Sequence, residues 1–205
     1  RHAQHSVLDR VLRRARAVPA GAHDLDPAHV RRRHDLDVAV VDRDLDGVQR
    51  VVTEITGAGR SAAGFVVDLA DRTAIASLPT RVRQTPGPVD IVVNNAGISL
   101  PAALTADEWE EAWHRTLAVN LTAQALLVRA CHDDLVRPEL AASGGGRIVN
   151  VASTEGLGAT RYMSPYTTSK HGVIGLTRSL ALEYGDTGVT VNCICPGPIL
   201  TGMTE

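Results

Sequence analysis

Five short, Val/Ile-rich runs separated by stretches of helical spacing occupy the chain from residue 37 onward, and no other feature restricts the fold as strongly. The runs lie at 37–42 (DVAVVD), 64–68 (GFVVD), 89–93 (VDIVV), 147–151 (RIVNV) and 189–194 (VTVNCI). Each is close to continuously hydrophobic, which is how a strand reads when both of its faces are covered. Between them the spacing predicts helices at 45–56, 71–84, 106–136 and 165–184. Repeated strand–helix–strand units predict an α/β fold, a three-layer Rossmann-like, doubly wound parallel sheet. The breakers QTPGP at 84–88 and AASGGG at 141–146 fall at helix ends and mark connections, not domain boundaries.

With 205 residues and 44% hydrophobic content the chain can build one domain core. A net charge of -2 provides no general attraction to nucleic acid or anionic membrane, so neither is expected as a partner. Cys131, Cys193 and Cys195 form no CxxC and have no His-rich companion, which argues against a disulfide framework and against a metal site. Reduced thiols fit a cytoplasmic protein. No apolar run approaches the roughly 18 residues that a membrane span requires.

Residues 1–36 depart from this pattern. They contain eight arginines and five of the eight histidines, with no strand. Val7, Leu8, Val11, Leu12, Ala15 and Val18 fall at helical spacing up to Pro19. Serine is scarce for a transit peptide, and aromatics, only 3% of the chain, are too few for a stacking nucleic-acid surface. The expected organisation is an anomalous Arg/His-rich segment at 1–36, consistent with a frameshift or wrong join, followed by the folded domain at 37–205.

Lys170 is the single lysine among 21 Lys+Arg residues, in a chain that otherwise uses arginine. It lies four residues after Tyr166 in YTTSK, and helical spacing puts both side chains on one helix face. A free phenol titrates near 10, so acid–base work at neutral pH calls for a nearby cation, which Lys170 supplies. Ser153 follows the strand RIVNV at its carboxyl end, the edge where open α/β sheets bind ligands. A hydroxyl there can hold a carbonyl or alcohol oxygen while Tyr166 exchanges its proton, which points to carbonyl/alcohol redox chemistry.

The ordered set Asn94-Asn95-Ala96-Gly97, Asn120, Ser153, Tyr166-x-x-x-Lys170 and Pro196-Gly197 resembles the short-chain dehydrogenase/reductase family, particularly its 3-oxoacyl-ACP reductase-like members, over residues 37–205. The resemblance implies an oxidoreductase that moves a hydride between NAD(H) and a small-molecule secondary alcohol or ketone. Tyr166 would be the acid/base. Lys170 would lower its pKa and, with Tyr166, hold the nicotinamide ribose, Ser153 with Tyr166 would orient the substrate oxygen, and Asn120 would hold a water. Asn94, Ala96 and Gly97 would let the backbone approach the adenosine ribose, and Asp68 with Leu69 would meet the adenine. Pro196, Gly197, Ile199 and Thr201 would flank the carboxamide and phosphates. A homo-oligomer, dimer or tetramer, is also implied.

Asp42, at the end of DVAVV, is placed to accept hydrogen bonds from ribose hydroxyls and to repel a 2′-phosphate, which favours NAD. Arg43 beside it keeps NADP open. Asp42 and Asp68 read equally well as strand-end or cap residues. Tyr162 has no lysine four residues on and reads as a substrate-loop or packing residue. His171 points away from the Tyr166 face, and Cys193 and Cys195 read as core.

Two elements of the family pattern are not recognisable. No glycine-rich turn precedes Asp42, where only Gly21 stands, and no first strand precedes it. In the order 3-2-1-4-5-6 that strand lies between the second and the fourth, so a hole is expected in the sheet. After Thr201 the family continues into a further helix and strand, so the domain reads as truncated at its C-terminus. The competing reading is a catalytically silent remnant or binding module that cannot hold cofactor.

Overall fold

A computed structural model describes residues 36–142 and 144–199, and the fold below is that of the compact unit His34–Gly197. All five expected strands are present: β1 (Val38–Asp42), β2 (Ala62–Val66), β3 (Ile91–Asn94), β4 (Arg147–Val151) and β5 (Thr190–Ile194). Every pairing is parallel, and helices flank the strands, giving a Rossmann-like α/β fold. Among the described residues the strands form two sheets, β1-β2 and β3-β4-β5, with no ladder between β1 and β3. That is where the hole was expected. Residues 1–35, which include nearly all of the anomalous segment, lie outside the described residues.

Helix α1 (Leu45–Gly57) starts at Asp44, whose side chain accepts from the Asp46 amide, and α2 (Arg72–Arg83) starts at Asp71, which accepts from Thr73 and Ala74. Val40 packs with Val48 and Ile55 of α1, and Phe65 packs with Leu78 and Val82 of α2. Val38 and Val40 therefore face one helix layer and Ala39 and Val41 the other, so β1 is covered on both faces, as the continuous hydrophobicity of DVAVVD predicts. β2 starts two residues before its expected position, at Ala62 and Ala63. These carry little strand propensity, but their register with Val38 and Ala39 draws them into the ladder. Gly64 is required there because a Cβ would come within 2.5 Å of Val48 on α1.

The helix expected at 106–136 is interrupted. It runs as α3 (Trp109–Leu117), a π-turn (Ala118–Thr122) and α4 (Ala123–Ala130), then breaks at Cys131 before α5 (His132–Leu135). A short α6 (Pro138–Ala141) follows, and α7 (Ser164–Glu183) closes the described helices. Val92, Ile148 and Val191 lie side by side across β3-β4-β5 and pack with Val128, Cys131, Leu135 and Tyr184 into the largest core cluster. The opposite face of this sheet has no helix layer among the described residues. There Ile91 is 46%, Val93 42% and Ile194 38% exposed.

Candidate active site

The carboxyl ends of β4 and β5 are tied together by two backbone bonds: Ala152 donates to Ile194 at 2.9 Å and Thr154 donates to Pro196 at 2.9 Å. Between these ties, extended Ser153 caps a 3-10 turn (Thr154–Gly156), its Oγ accepting from the Glu155 amide at 3.1 Å. Helix α7 begins at Ser164, so Tyr166 falls in its first turn and Lys170 one turn later. Lys170 is buried. Its Nζ donates to the Val151 carbonyl at 2.9 Å and lies 5.5 Å from the Tyr166 ring centroid. Ser153 acts on the phenol as a hydrogen-bonding neighbour. Three side chains from separate parts of the sequence therefore meet at one sheet edge.

Burial dominates the electrostatics of this group. It pushes the Tyr166 phenol above its usual value; the Ser153 hydroxyl opposes the rise and the Glu155 charge adds to it. Burial also pushes Lys170 down from 10.5 to about 8, against the opposing influence of Cys193 and Cys195. Loss of solvent favours the neutral form of each group. In the chain by itself the phenol is thus not depressed, contrary to the expectation that Lys170 lowers it: burial is the largest influence, and the influence opposing it is the Ser153 hydroxyl, not the lysine. At neutral pH Tyr166 carries its proton.

Asn120 lies fully buried inside the π-turn, a helix distortion that often marks a functional position. Its Oδ1 accepts from the Ile98 amide at 2.8 Å, and its Nδ2 donates to Ile98 O at 2.9 Å and to Ser169 Oγ at 3.0 Å. Both amide hydrogens are committed, leaving one acceptor position on Oδ1. Gly97 lies against this residue: a Cβ there would come within 3.4 Å of Asn120 Oδ1 and 3.6 Å of Lys170 Nζ. Asn94, expected among the cofactor contacts, donates through its side chain to Asn150 at 2.8 Å, and Asn150 donates to Thr177 at 2.9 Å in a buried chain. The Asn94 side chain therefore ties β3 to β4.

Asp42 and Asp68 are exposed at the ends of β1 and β2, each carboxylate accepting a backbone amide two residues on, from Asp44 at 3.1 Å and Ala70 at 2.8 Å. The cap reading of both residues thus describes part of what they do. Leu69 lines a hollow of about 380 Å³ together with Arg72, His114, Leu117 and Leu126, and none of Ser153, Tyr166 or Lys170 lines it. Ala96 is half-buried beside Gly97, and Gly197 is exposed beyond Pro196. Ile199 lies outside the compact unit and Thr201 outside the described residues. Among the described residues no cluster of three or more His, Cys, Asp or Glu could hold a metal, and no helix is long and apolar enough to cross a membrane.

Sequence reasoning missed several residues at this edge. Glu155 accepts from Thr160 at 2.6 Å and Thr167 at 2.8 Å, and its place two residues after Ser153 was the only available signal. Cys193 and Cys195, read as core, are half-buried and face Lys170. Trp109 stacks on Trp113 and donates to Ser164 at 3.0 Å, while Tyr162 stands at φ 68 with the Arg161 guanidinium 4.6 Å over its ring.

A family model described as short chain dehydrogenase matches residues 27–205. The (2S)-[(R)-hydroxy(phenyl)methyl]succinyl-CoA dehydrogenase subunit BbsD of Thauera aromatica is 37% identical over 168 residues, covering 82% of this chain and 65% of that protein. The D-beta-hydroxybutyrate dehydrogenase of Rhizobium meliloti (strain 1021) is 37% identical over 161 residues, 78% of this chain and 60% of that one. The crystal structure of the apo form of LigO from Sphingobium sp. strain SYK-6 superposes with a TM-score of 0.71 at 26% identity, covering 78% of this chain and 58% of the other. The chain spans about three fifths of the length of the curated relatives it matches.

Proposed function

Because the chain belongs to the short-chain dehydrogenase family, we propose that Ser153, Tyr166 and Lys170 form the active site of a nicotinamide-dependent oxidoreductase that interconverts a secondary alcohol and a ketone. The observation that carries this reading is the meeting of a half-buried phenol, a buried ammonium 5.5 Å from its ring and a strand-end hydroxyl at one sheet edge. The residues present fit the nicotinamide riboside end of the cofactor. Lys170 spends one of its three donors on Val151, leaving two for ribose hydroxyls, and Gly97 leaves open the space that a Cβ would take against Asn120 and Lys170. When bound, the nicotinamide supplies or accepts the hydride.

The protein's own part is the proton. The Ser153 hydroxyl donates to the substrate oxygen and holds it toward Tyr166. The phenol gives its proton to that oxygen in ketone reduction and takes one from the alcohol in oxidation, while the Lys170 ammonium offsets the phenolate charge. A phenol pushed upward by burial is in its donating form at neutral pH. Reduction is therefore expected to hold its rate until the pH passes the raised phenol value and then to fall, whereas oxidation climbs with pH. Asp42 at the end of β1 favours NAD over NADP. The hydroxyacyl and hydroxy-acid substrates in the relatives' names make β-hydroxy acids and thioesters the first substrates to try. Association into a homo-oligomer through the outer faces of α3, α4 and α7 belongs to the same reading.

One observation favours a second reading, a remnant that keeps the catalytic residues but cannot hold cofactor. The described residues leave β1 and β3 unjoined, and no glycine-rich turn precedes Asp42 to take the pyrophosphate. Titrating the 205-residue chain with NADH while following cofactor fluorescence separates the two, and absence of binding at millimolar NADH selects the remnant. We further propose that the part of the Arg/His-rich segment 1–36 that precedes the family match at residue 27 derives from a shifted reading frame or a wrong join. A coding sequence whose other two frames contain no strand followed by a glycine-rich turn rules this out.

A further inference from the structure

Glu155 lies at the centre of contacts that the proton transfer above does not use. Its two carboxylate oxygens accept from two threonines on different elements, Thr160 in the loop before α7 and Thr167 within α7, at 2.6 and 2.8 Å. Its own amide donates to Ser153 Oγ, so one residue contacts the polarising hydroxyl, the loop and the helical residue next to Tyr166. The following glycine completes the joint: a Cβ on Gly156 would come within 2.8 Å of the Lys170 carbonyl, so the turn sits directly on α7. The loop is also held from its far side, where Ala102 donates to the Tyr162 carbonyl at 2.9 Å and Tyr162 is kept at φ 68, a conformation that a side-chain-bearing residue adopts only under constraint.

We infer that Glu155 is a positioning residue: its carboxylate fastens the loop between the 3-10 turn and α7 onto the first turn of that helix, sets Ser153 relative to Tyr166, and holds a fixed negative charge beside the phenol. The inference rests on the reading of Tyr166 as the acid/base and adds a residue to which neither the motif set nor that proton path gives a role. Two hydroxyl donors on one carboxylate are charge-assisted bonds, stronger than their neutral equivalents. They also keep Glu155 ionised, since both threonines pull its pKa below the usual carboxylate range, helped by His171. The other groups around the phenol are Lys170 on its own helix and, beyond Lys170, Cys193 and Cys195 at the end of β5. His171 bonds the Thr167 carbonyl at 3.0 Å and faces Glu155, not the phenol. Glu155 is thus the negative neighbour of Tyr166, and its charge opposes phenolate formation. It keeps the phenol protonated and works against the Lys170 ammonium, which favours the phenolate.

The test requires no turnover. The chain has three tyrosines, so the rise of tyrosinate absorbance with pH, taken as the difference between the full chain and its Tyr166→Phe variant, reports Tyr166 alone. In Glu155→Gln, whose amide can still bond both threonines, the Tyr166 midpoint is expected to move down, because the charge that opposes phenolate formation is removed. In Glu155→Ala, amide hydrogen exchange of residues 157–161 is expected to speed up by about tenfold through loss of the two bonds, while in Glu155→Gln it stays close to the parent rate. An unmoved midpoint in Glu155→Gln, or unchanged exchange in Glu155→Ala, overturns the inference. If Glu155→Ala does not fold, the glutamine variant alone decides. A chain that shows the midpoint shift yet binds no NADH keeps Glu155 as a positioning residue and discards the oxidoreductase reading.

Discussion

The two faces of the β3-β4-β5 sheet are built from the same strands and nearly the same kinds of residue, yet they meet different surroundings. On one face Val92, Ile148 and Val191 are sealed under α4, α5 and α7, and beside them run the Asn94–Asn150–Thr177 chain and the Ser153, Tyr166 and Lys170 group. On the other, Ile91, Val93 and Ile194 stand open among the described residues. Hydrophobicity along a strand therefore does not decide its burial; the presence of a covering layer does. The proposed chemistry lies on the sealed side, where helices can fix side chains to a fraction of an ångström.

The largest effect expected on the sealed side is chemical. Tyr166→Phe should lower turnover by about 10²–10⁴-fold, the usual worth of a positioned acid/base, while leaving NADH titration unchanged. A smaller loss in steady-state rates would move the acid/base elsewhere. Stability separates the faces next. Ile148→Ala should cost about 2–5 kcal/mol in urea unfolding, and Val93→Ala on the open face no more than about 0.5 kcal/mol. Equal costs would break the comparison and show that something covers Val93.

Lys170 sharpens the contrast because its burial has a cost of its own. Its folded-state value of about 8 lies below the 10.5 of an unfolded lysine, so the folded chain binds the proton less tightly. The penalty, on the order of 3 kcal/mol, is full below pH 8, fades as pH rises to about 10.5 and vanishes above it. Lys170→Met, losing only the bond to Val151, should therefore be about 2 kcal/mol more stable than the parent at pH 7 and no more stable at pH 10.5. A gap that is the same at both pH values would show that Lys170 is not desolvated. The smallest effect concerns the thiols. Burial pushes Cys131 up to about 12, so iodoacetamide should modify half-buried Cys193 well before Cys131, as read by peptide mass.

Local pattern made much of this legible in advance. The five strands, the pairing of Tyr166 with Lys170 and the strand-end position of Ser153 are all written within runs of five or six residues. What escaped depends on distance. Asn120 lies in a π-turn and bonds Ile98 and Ser169, which lie 22 and 49 residues away, and nothing within 106–136 signals that turn. Glu155 matters through threonines 5 and 12 residues on, whose convergence exists only after folding. The strand alternation of Cys193 and Cys195 suited core positions, and only the arrival of α7 turns their neighbour into Lys170. The direction of the Tyr166 shift was misjudged because spacing reveals a nearby cation but not how much solvent is lost.

The π-turn at Ala118–Thr122 works as a phase adjuster. Buried Thr116, Asn120, Gln124 and Val128 recur every four residues, a beat that an undistorted helix would let drift sideways and that one widened turn partly restores. The helix is therefore sensitive to counting as well as to chemistry. Deleting a single residue from the regular turns at 123–127 would leave every other side chain intact, yet rotate everything downstream by roughly 100° and swing Val128 out of the interior.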